Sequence, residues 1–282
     1  MKDEQLQHPP KWRETCDPFA LRYHRFQPLA VLGYPHAGND VFYTRGIYDG
    51  QEVNTFVKVA RQSGADIENE IAILKQLRLE CVPKVIDHGD GFSVTLEIPG
   101  ERLSTILGEN EHLLSLSYME EYGAALAELH GMKISSGNVK DRRFFHKPST
   151  KLLTKLNLKF MEEYFTREPY KESRCFCHGD FHYANLLWKG GHISGILDFE
   201  LAGYGNRDFD IAWALLVRPG QKFLKTEDEQ QAFLKGYGAC DLKAVLYYMA
   251  QSYVYFLEIC GDDEAYCAFV RDWLAKQAER QA

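Results

Sequence analysis

The stretch Cys177–Trp188, CHGDFHYANLLW, sets a histidine, an aspartate and an asparagine in the pattern H-x-D-x4-N, and Gly195–Glu200, GILDFE, follows close behind. ANLLW and HISGILDF read as two short strands joined through Lys189-Gly190-Gly191, because glycines accept the backbone angles of a tight turn. Such a hairpin places Asn185 just before one strand and Asp198 at the end of the other. With Asp180 in the preceding loop, polar groups gather at strand ends, where a scaffold can hold a site rigidly.

Working outward toward the N-terminus, the chain from Phe26 to about Ile98 reads as short strands: RFQPLAVLGY, DVFYTRGIY, VNTFVKVA, PKVIDHG and FSVTLEI. Asp49-Gly50 between the second and third is a strong hairpin signal, which predicts an antiparallel sheet. One helix interrupts the strands at SGADIENEIAILKQL, where Ser63 and Asp66 have capping-box spacing and Ile67, Ile71, Leu74 and Leu77 share a face. Glu70 falls inside that apolar arc. A carboxylate facing a core needs a partner, and Lys58, inside the apolar strand FVKVA, is the candidate; the bland alternative is that both side chains reach solvent.

Working outward toward the C-terminus, the texture after IPGERL is helical, with SYMEEYGAALAELHGM, DIAWALLV, TEDEQQAFLKGY, LKAVLYYMAQSYVYFLEI and DDEAYCAFVRDWLAKQ as helix patterns. Pro99-Gly100 marks the division. The expected architecture is α+β and bilobal: residues 1–98 a sheet with one helix, residues 99–282 a mainly helical lobe that carries Asp180, Asn185 and Asp198, and a cleft between them.

The whole-chain numbers allow this. At 282 residues, 45% apolar and 26% charged, the chain can bury a substantial core. A net charge of −7 without a basic cluster argues against a nucleic-acid partner. The polar N-terminal segment lacks the apolar run of a signal peptide, and IAWALLV is too short to span a bilayer, so a cytoplasmic protein with no membrane association is expected. Seven cysteines scattered from Cys16 to Cys267 suit reduced thiols better than a disulfide framework.

Lys58, Glu70, Asp180, Asn185 and Asp198 fit one chemistry, transfer of a phosphoryl group from a nucleotide to a hydroxyl. That reaction needs cations on the phosphates, an aligned nucleophile and little covalent help. Lys58 suits the phosphates and Glu70 would fix the lysine. Asp180 would orient the hydroxyl and take its proton, and Asn185 and Asp198 offer the hard oxygens that magnesium prefers. The order Lys, Glu, H-x-D-x4-N, Asp-Phe along the chain is far more specific than any piece alone.

On CHGDFHYANLLW, GILDFELAGYGNRDFDIAW and FVKVA…ENEIAILKQL, the chain resembles the aminoglycoside phosphotransferase and choline kinase superfamily, small-molecule kinases with a protein-kinase-like fold. The resemblance implies Asp180 as catalytic base, Asn185 and Asp198 as Mg2+ ligands, Lys58 on the phosphates of ATP or GTP, and Glu70 as its ion-pair partner. It also implies that backbone groups around Glu97 and Ile98 meet the nucleotide base, and that LGYPHAGNDVFY, with Gly33 and Gly38, covers the phosphates. That loop is poorer in glycine than G-x-G-x-x-G. Gly179 where protein kinases carry arginine, and no Ala-Pro-Glu segment, favour a small hydroxyl acceptor, cationic compounds included, over a protein. Asn206-Arg207 replaces a common Asp-Pro, so Asp210 reads as a helix N-cap and loop brace.

Rival readings draw on the same residues. Cys175, Cys177, His178 and His182 suggest zinc, but their spacing departs from structural zinc sites. Asp180 and Asp198 as glycosidase carboxylates would leave Lys58, Glu70 and Asn185 unexplained. A catalytically inactive pseudokinase that binds nucleotide or ligand is the alternative from another class. LYYMAQSYVYFLE is a candidate aromatic cage, although helix core is its commoner use, and Glu200, Asp262, Asp263 and Glu264 are candidate partners for acceptor ammonium groups.

Overall fold

The computed structural model describes residues 15–35, 38–61, 64–108, 112–135, 146–167 and 173–281, with backbone alone at His112, Leu113 and Gln281. Strands β1 (Phe26–Gly33), β2 (Asp40–Tyr48), β3 (Gln51–Val59), β4 (Val85–Gly89) and β5 (Phe92–Leu96) form an antiparallel sheet in the order β1-β2-β3-β5-β4. Asp49 and Gly50, at φ 49° and 77°, close the β2–β3 hairpin in the left-handed geometry expected of Asp-Gly. Strand alternation then divides β3 between two tasks. Val57 is buried with Phe26, Phe42, Ile86, Phe92 and Val94, which leaves Lys58, its neighbour, on the opposite face.

Across that face lies α1 (Ile67–Leu74). Asp66 caps it by accepting from the Asn69 amide at 3.3 Å; Ser63 lies outside the described residues. Ile67, Ile71, Ile73 and Leu74 are buried, and so is Glu70, as its place in the apolar arc required.

The second half contains α2 (Leu103–Leu107), α3 (His112–His130), α4 (Thr150–Lys155), α5 (Glu162–Thr166), β6 (Arg174–Cys177), β7 (Leu186–Lys189), β8 (His192–Ile196), β9 (Gly203–Asn206), α6 (Arg207–Leu215), α7 (Glu227–Tyr237), α8 (Leu242–Ile259) and α9 (Glu264–Gln281). β7 and β8 make the expected hairpin, with Gly190 and Gly191 at φ 61° and 86°. Glu101 and Trp188 exchange backbone hydrogen bonds of 2.9 and 2.8 Å, tying the connection after β5 to this hairpin. α3 and α7 pack at backbone contact: a Cβ on Gly123 would lie 2.0 Å from the Phe233 carbonyl, and one on Gly236 1.9 Å from that of Glu120. Tyr122 of α3 stacks on Phe181 with centroids 5.4 Å apart, so the largest helical core directly supports the loop that carries Asp180.

The aromatic stretch of α8 is core. Tyr247 and Tyr253 are buried, the Tyr253 hydroxyl accepts from the Val217 amide at 3.1 Å, and Tyr248 accepts from Asn206 at 2.8 Å. Among the described residues no helix is long and apolar enough to cross a membrane.

Candidate active site

Lys58 Nζ lies 2.9 Å from Glu70 Oε2, 2.8 Å from Asp198 Oδ1 and 2.9 Å from Glu200 Oε2. Sheet, helix and second lobe therefore converge on one ammonium. Burial alone would push Lys58 down, but the carboxylates, Glu70 foremost, override it and hold the side chain charged. Burial pushes Glu70 up against the pull of Lys58. Its other oxygen accepts from the Phe199 amide at 3.0 Å, so both contacts favour the ionised pair.

Asp198 occupies the left-handed region at φ 67°, ψ 65°, which costs a non-glycine residue on the order of 1 kcal/mol or more. Its neighbours hold it there: Leu197 N donates to Asn185 O at 2.8 Å, His178 Nε2 to Leu197 O at 3.0 Å, and Phe199 N to Glu70. The conformation turns a carboxylate that is 45% exposed toward Lys58.

Asp180 sits in a cage of donors. Trp213 Nε1 donates to Oδ1 at 2.8 Å, Asn185 Nδ2 to Oδ2 at 3.0 Å, and His182 Nε2 is 3.5 Å from Oδ1. Burial would raise its pKa, yet His182 first and then Trp213 outweigh burial and hold the carboxyl below its ordinary range. Asn185 Nδ2 also donates to the Asp180 carbonyl at 3.0 Å. With the amide nitrogen so committed, the amide oxygen is its remaining donor to a cation.

The loop is fixed from below by Asp210. Its Oδ2 accepts from His178 N at 2.9 Å and its Oδ1 from Gly179 N at 3.0 Å, while His130 Nε2 lies 3.1 Å away. The loop-brace reading of Asp210 agrees with this geometry; the N-cap reading is corrected. Asn206 caps α6 instead, accepting from Asp208 and Phe209 at 2.9 and 3.3 Å, which frees Asp210 in the first turn to reach the loop. Gly179 has φ +81°, and a Cβ there would lie 2.4 Å from the Leu201 carbonyl, so an arginine does not fit at this position.

Other expectations meet mixed outcomes. Gly33 ends β1 opposite Tyr43 and Gly38 precedes Asn39 and Asp40, while His36 and Ala37 between them lie outside the described residues. Asn39 donates to Glu200 Oε2 at 2.8 Å, bringing the loop's far end to the Lys58 cluster. The Glu97 amide donates to Asn54 O at 3.1 Å and its carboxylate accepts from Tyr43 and Asn54, each at 2.9 Å. Ile98 is half-buried near Gly195 of β8. Glu200, a candidate partner for acceptor ammonium groups, belongs to the lysine cluster. His178 is fully buried and neutral in character: burial lowers its pKa, Nδ1 accepts from the Asp180 amide at 3.2 Å and Nε2 serves Leu197. That removes it from any zinc set. Trp213 and His130 were missed, because nothing local marks a helical tryptophan or a helix-ending histidine as a partner of a distant aspartate.

A strand-rich half and a helical half that bring a lysine, its buried glutamate, a caged aspartate and a strand-end aspartate together define a kinase-like phosphotransferase. The family model described as the phosphotransferase enzyme family matches residues 36–244, and the chain belongs to that family. Among solved structures, the streptomycin–ATP–APH(2″)-IIa ternary complex is 17% identical with TM-score 0.56, covering 88% of this chain and 93% of the other. The macrolide 2′-phosphotransferase MphH from Brachybacterium faecium is 16% identical with TM-score 0.54, covering 89% and 91%. A choline/ethanolamine kinase family protein from Mesorhizobium loti is 15% identical with TM-score 0.54, covering 92% and 87%. These likenesses support the bilobal α+β fold read from the sequence. No curated protein matches the chain.

Proposed function

We propose that this protein transfers the γ-phosphoryl group of ATP to a hydroxyl of a small molecule. The observation that carries the proposal is the meeting of three carboxylates on one ammonium, joined to the caged Asp180 through Asn185, which holds both Asp180 and the backbone next to Asp198. One positive charge leaves that cluster with surplus negative charge, a setting that favours a divalent cation and, through it, a polyphosphate. Asp198 and the amide oxygen of Asn185 are hard donors of the type magnesium takes, so the residues present fit the ion. Bound there, Mg2+ would neutralise charge on the transferred group.

Lys58 would hold nucleotide phosphates, with Glu70 keeping it aimed. Asp180, oriented by Trp213 and Asn185, would align the acceptor hydroxyl and receive its proton. A depressed pKa makes Asp180 a weak base, which suits a loose transition state in which the proton leaves late. Gly33 and Gly38 would bracket the phosphate-covering loop. Because the Glu97 amide already serves Asn54, base recognition would fall to the Glu97 carbonyl and the Ile98 backbone. We place the lobe division at 98/99.

The solved relatives named for streptomycin, macrolide and choline/ethanolamine support a small, hydroxyl-bearing acceptor. The test is a coupled nucleotide-consumption screen with Mg2+, ATP and GTP against aminoglycosides, amino alcohols, choline-like alcohols, sugars and macrolides. Acceptor-dependent ATP consumption is expected. Nucleotide binding without turnover on any class would favour the inactive, ligand-binding alternative.

A further inference from the structure

Cys175 and Cys177 are two residues apart on β6, so both sulfurs leave the same face of the strand. Their Sγ atoms are 3.7 Å apart, and the helix-ending His130 of α3 brings a ring nitrogen into the same group, all three ligand atoms within 4.8 Å of one another. The residues opposite them on β9, Gly205 and Gly203, carry no side chain to cover that face. Nothing in phosphoryl transfer uses these sulfurs.

We propose that Cys175, Cys177 and His130 form a binding site for one thiophilic divalent cation of the zinc and cadmium class, apart from the Mg2+ position and with a donor set different from the zinc motif read in the sequence. Zinc–thiolate bonds of about 2.3 Å at a tetrahedral angle place two sulfurs about 3.8 Å apart, so the pair already stands at the spacing such an ion imposes. A disulfide fits less well. It needs the sulfurs at about 2.05 Å, and strand residues two apart have Cα atoms near the upper limit for a bridge.

The surroundings supply orientation and charge balance. Metal-bound histidines keep the second ring nitrogen on an oriented partner. His130 has two, Asp210 at Nε2 and the Tyr237 hydroxyl at Nδ1, 2.8 Å away, so the nitrogen that takes the ion would give up its contact and the other would keep an oriented partner. Cys175 is held down to about 6, first by its contact with Cys177 and then by His130, while Cys177 is held up by Cys175 and burial. His130 is raised to about 9, Asp210 and Cys175 overcoming its burial. Because thiolate and neutral imidazole are the binding forms, binding the ion would release protons. Water can fill the fourth position.

The test titrates CdCl2 into the reduced, full-length protein and follows the ultraviolet thiolate-to-cadmium band together with the melting temperature. One equivalent should bind, raise the melting temperature, and release protons that a pH indicator detects. Cys175→Ser, at the half-exposed position, should weaken binding at least tenfold, as should Cys177→Ser, whereas Cys260→Ser/Cys267→Ser should bind like wild type. If Cys177→Ser does not fold, Cys175→Ser and Cys175→Ala decide the matter. Wild-type affinity in the Cys175 variants, loss of binding in the Cys260/Cys267 variant, or no cadmium band in wild type would each overturn the proposal.

Discussion

Lys58 of the sheet and Asp198 of the β8 strand end touch at 2.8 Å across 140 residues of sequence. That contact joins the two halves, and Glu70 reinforces it from α1 at 2.9 Å.

Lys58→Met leaves Glu70 buried without its cation. The expected loss of unfolding free energy is about 3 kcal/mol, the scale of a buried pair broken on one side. Adding Glu70→Gln should recover more than half of that loss in a double-mutant cycle by urea titration. Additive losses would show that the two do not act as a pair.

Trp213→Phe removes one of the donors that hold the Asp180 carboxyl low. Because losing that bond raises the Asp180 pKa, the acid limb of kcat/KM should move to higher pH, with turnover reduced about tenfold by looser positioning. In wild type the limb due to Asp180 should lie below the ordinary aspartate range. An unmoved limb in the variant would remove Trp213 from this role.

His130 is raised to about 9 beside Asp210, Cys175, Cys177 and Tyr237. A pKa raised on folding stabilises the protein fully below the unfolded value of about 6.5, and that contribution disappears as pH rises through the folded value. Melting temperature should therefore fall between pH 7 and about 9 more in wild type than in His130→Gln. Parallel curves would contradict the charged pairing with Asp210.

Gly179→Ala introduces a Cβ at φ +81° and 2.4 Å from the Leu201 carbonyl. The expected cost is at least about 2 kcal/mol, with activity lost as the loop shifts. Wild-type stability and turnover would show that the loop tolerates a side chain.

Much of this was legible because local signals and global packing agreed. Asp49-Gly50 and Gly190-Gly191 announced their hairpins, and a glutamate in an apolar helical arc demanded the lysine in an apolar strand. The misreadings arose where the deciding contact was distant. Asn206 took the cap that Asp210 was expected to provide, because a residue one helical turn inside α6 faces the loop. Glu200 was a candidate partner for an acceptor ammonium, yet the ammonium it meets is that of Lys58, with Asn39 beside it. The zinc grouping of Cys175 and Cys177 with the histidines next to them, set aside on spacing, fails in space as well: His178 serves the Asp180 loop, and the ring beside the sulfurs comes from α3. Sequence spacing shows which residues share a face, and only the packing of helices on strands shows what that face meets.

The most direct test of the central claim is product analysis: wild type and Asp180→Asn incubated with MgATP and the acceptor found by screening, with phosphorylated acceptor measured by mass spectrometry. Wild type should form a phosphate ester, and Asp180→Asn should form it at least about a hundredfold more slowly while binding ATP equally well. Equal ester formation by both proteins would contradict the account.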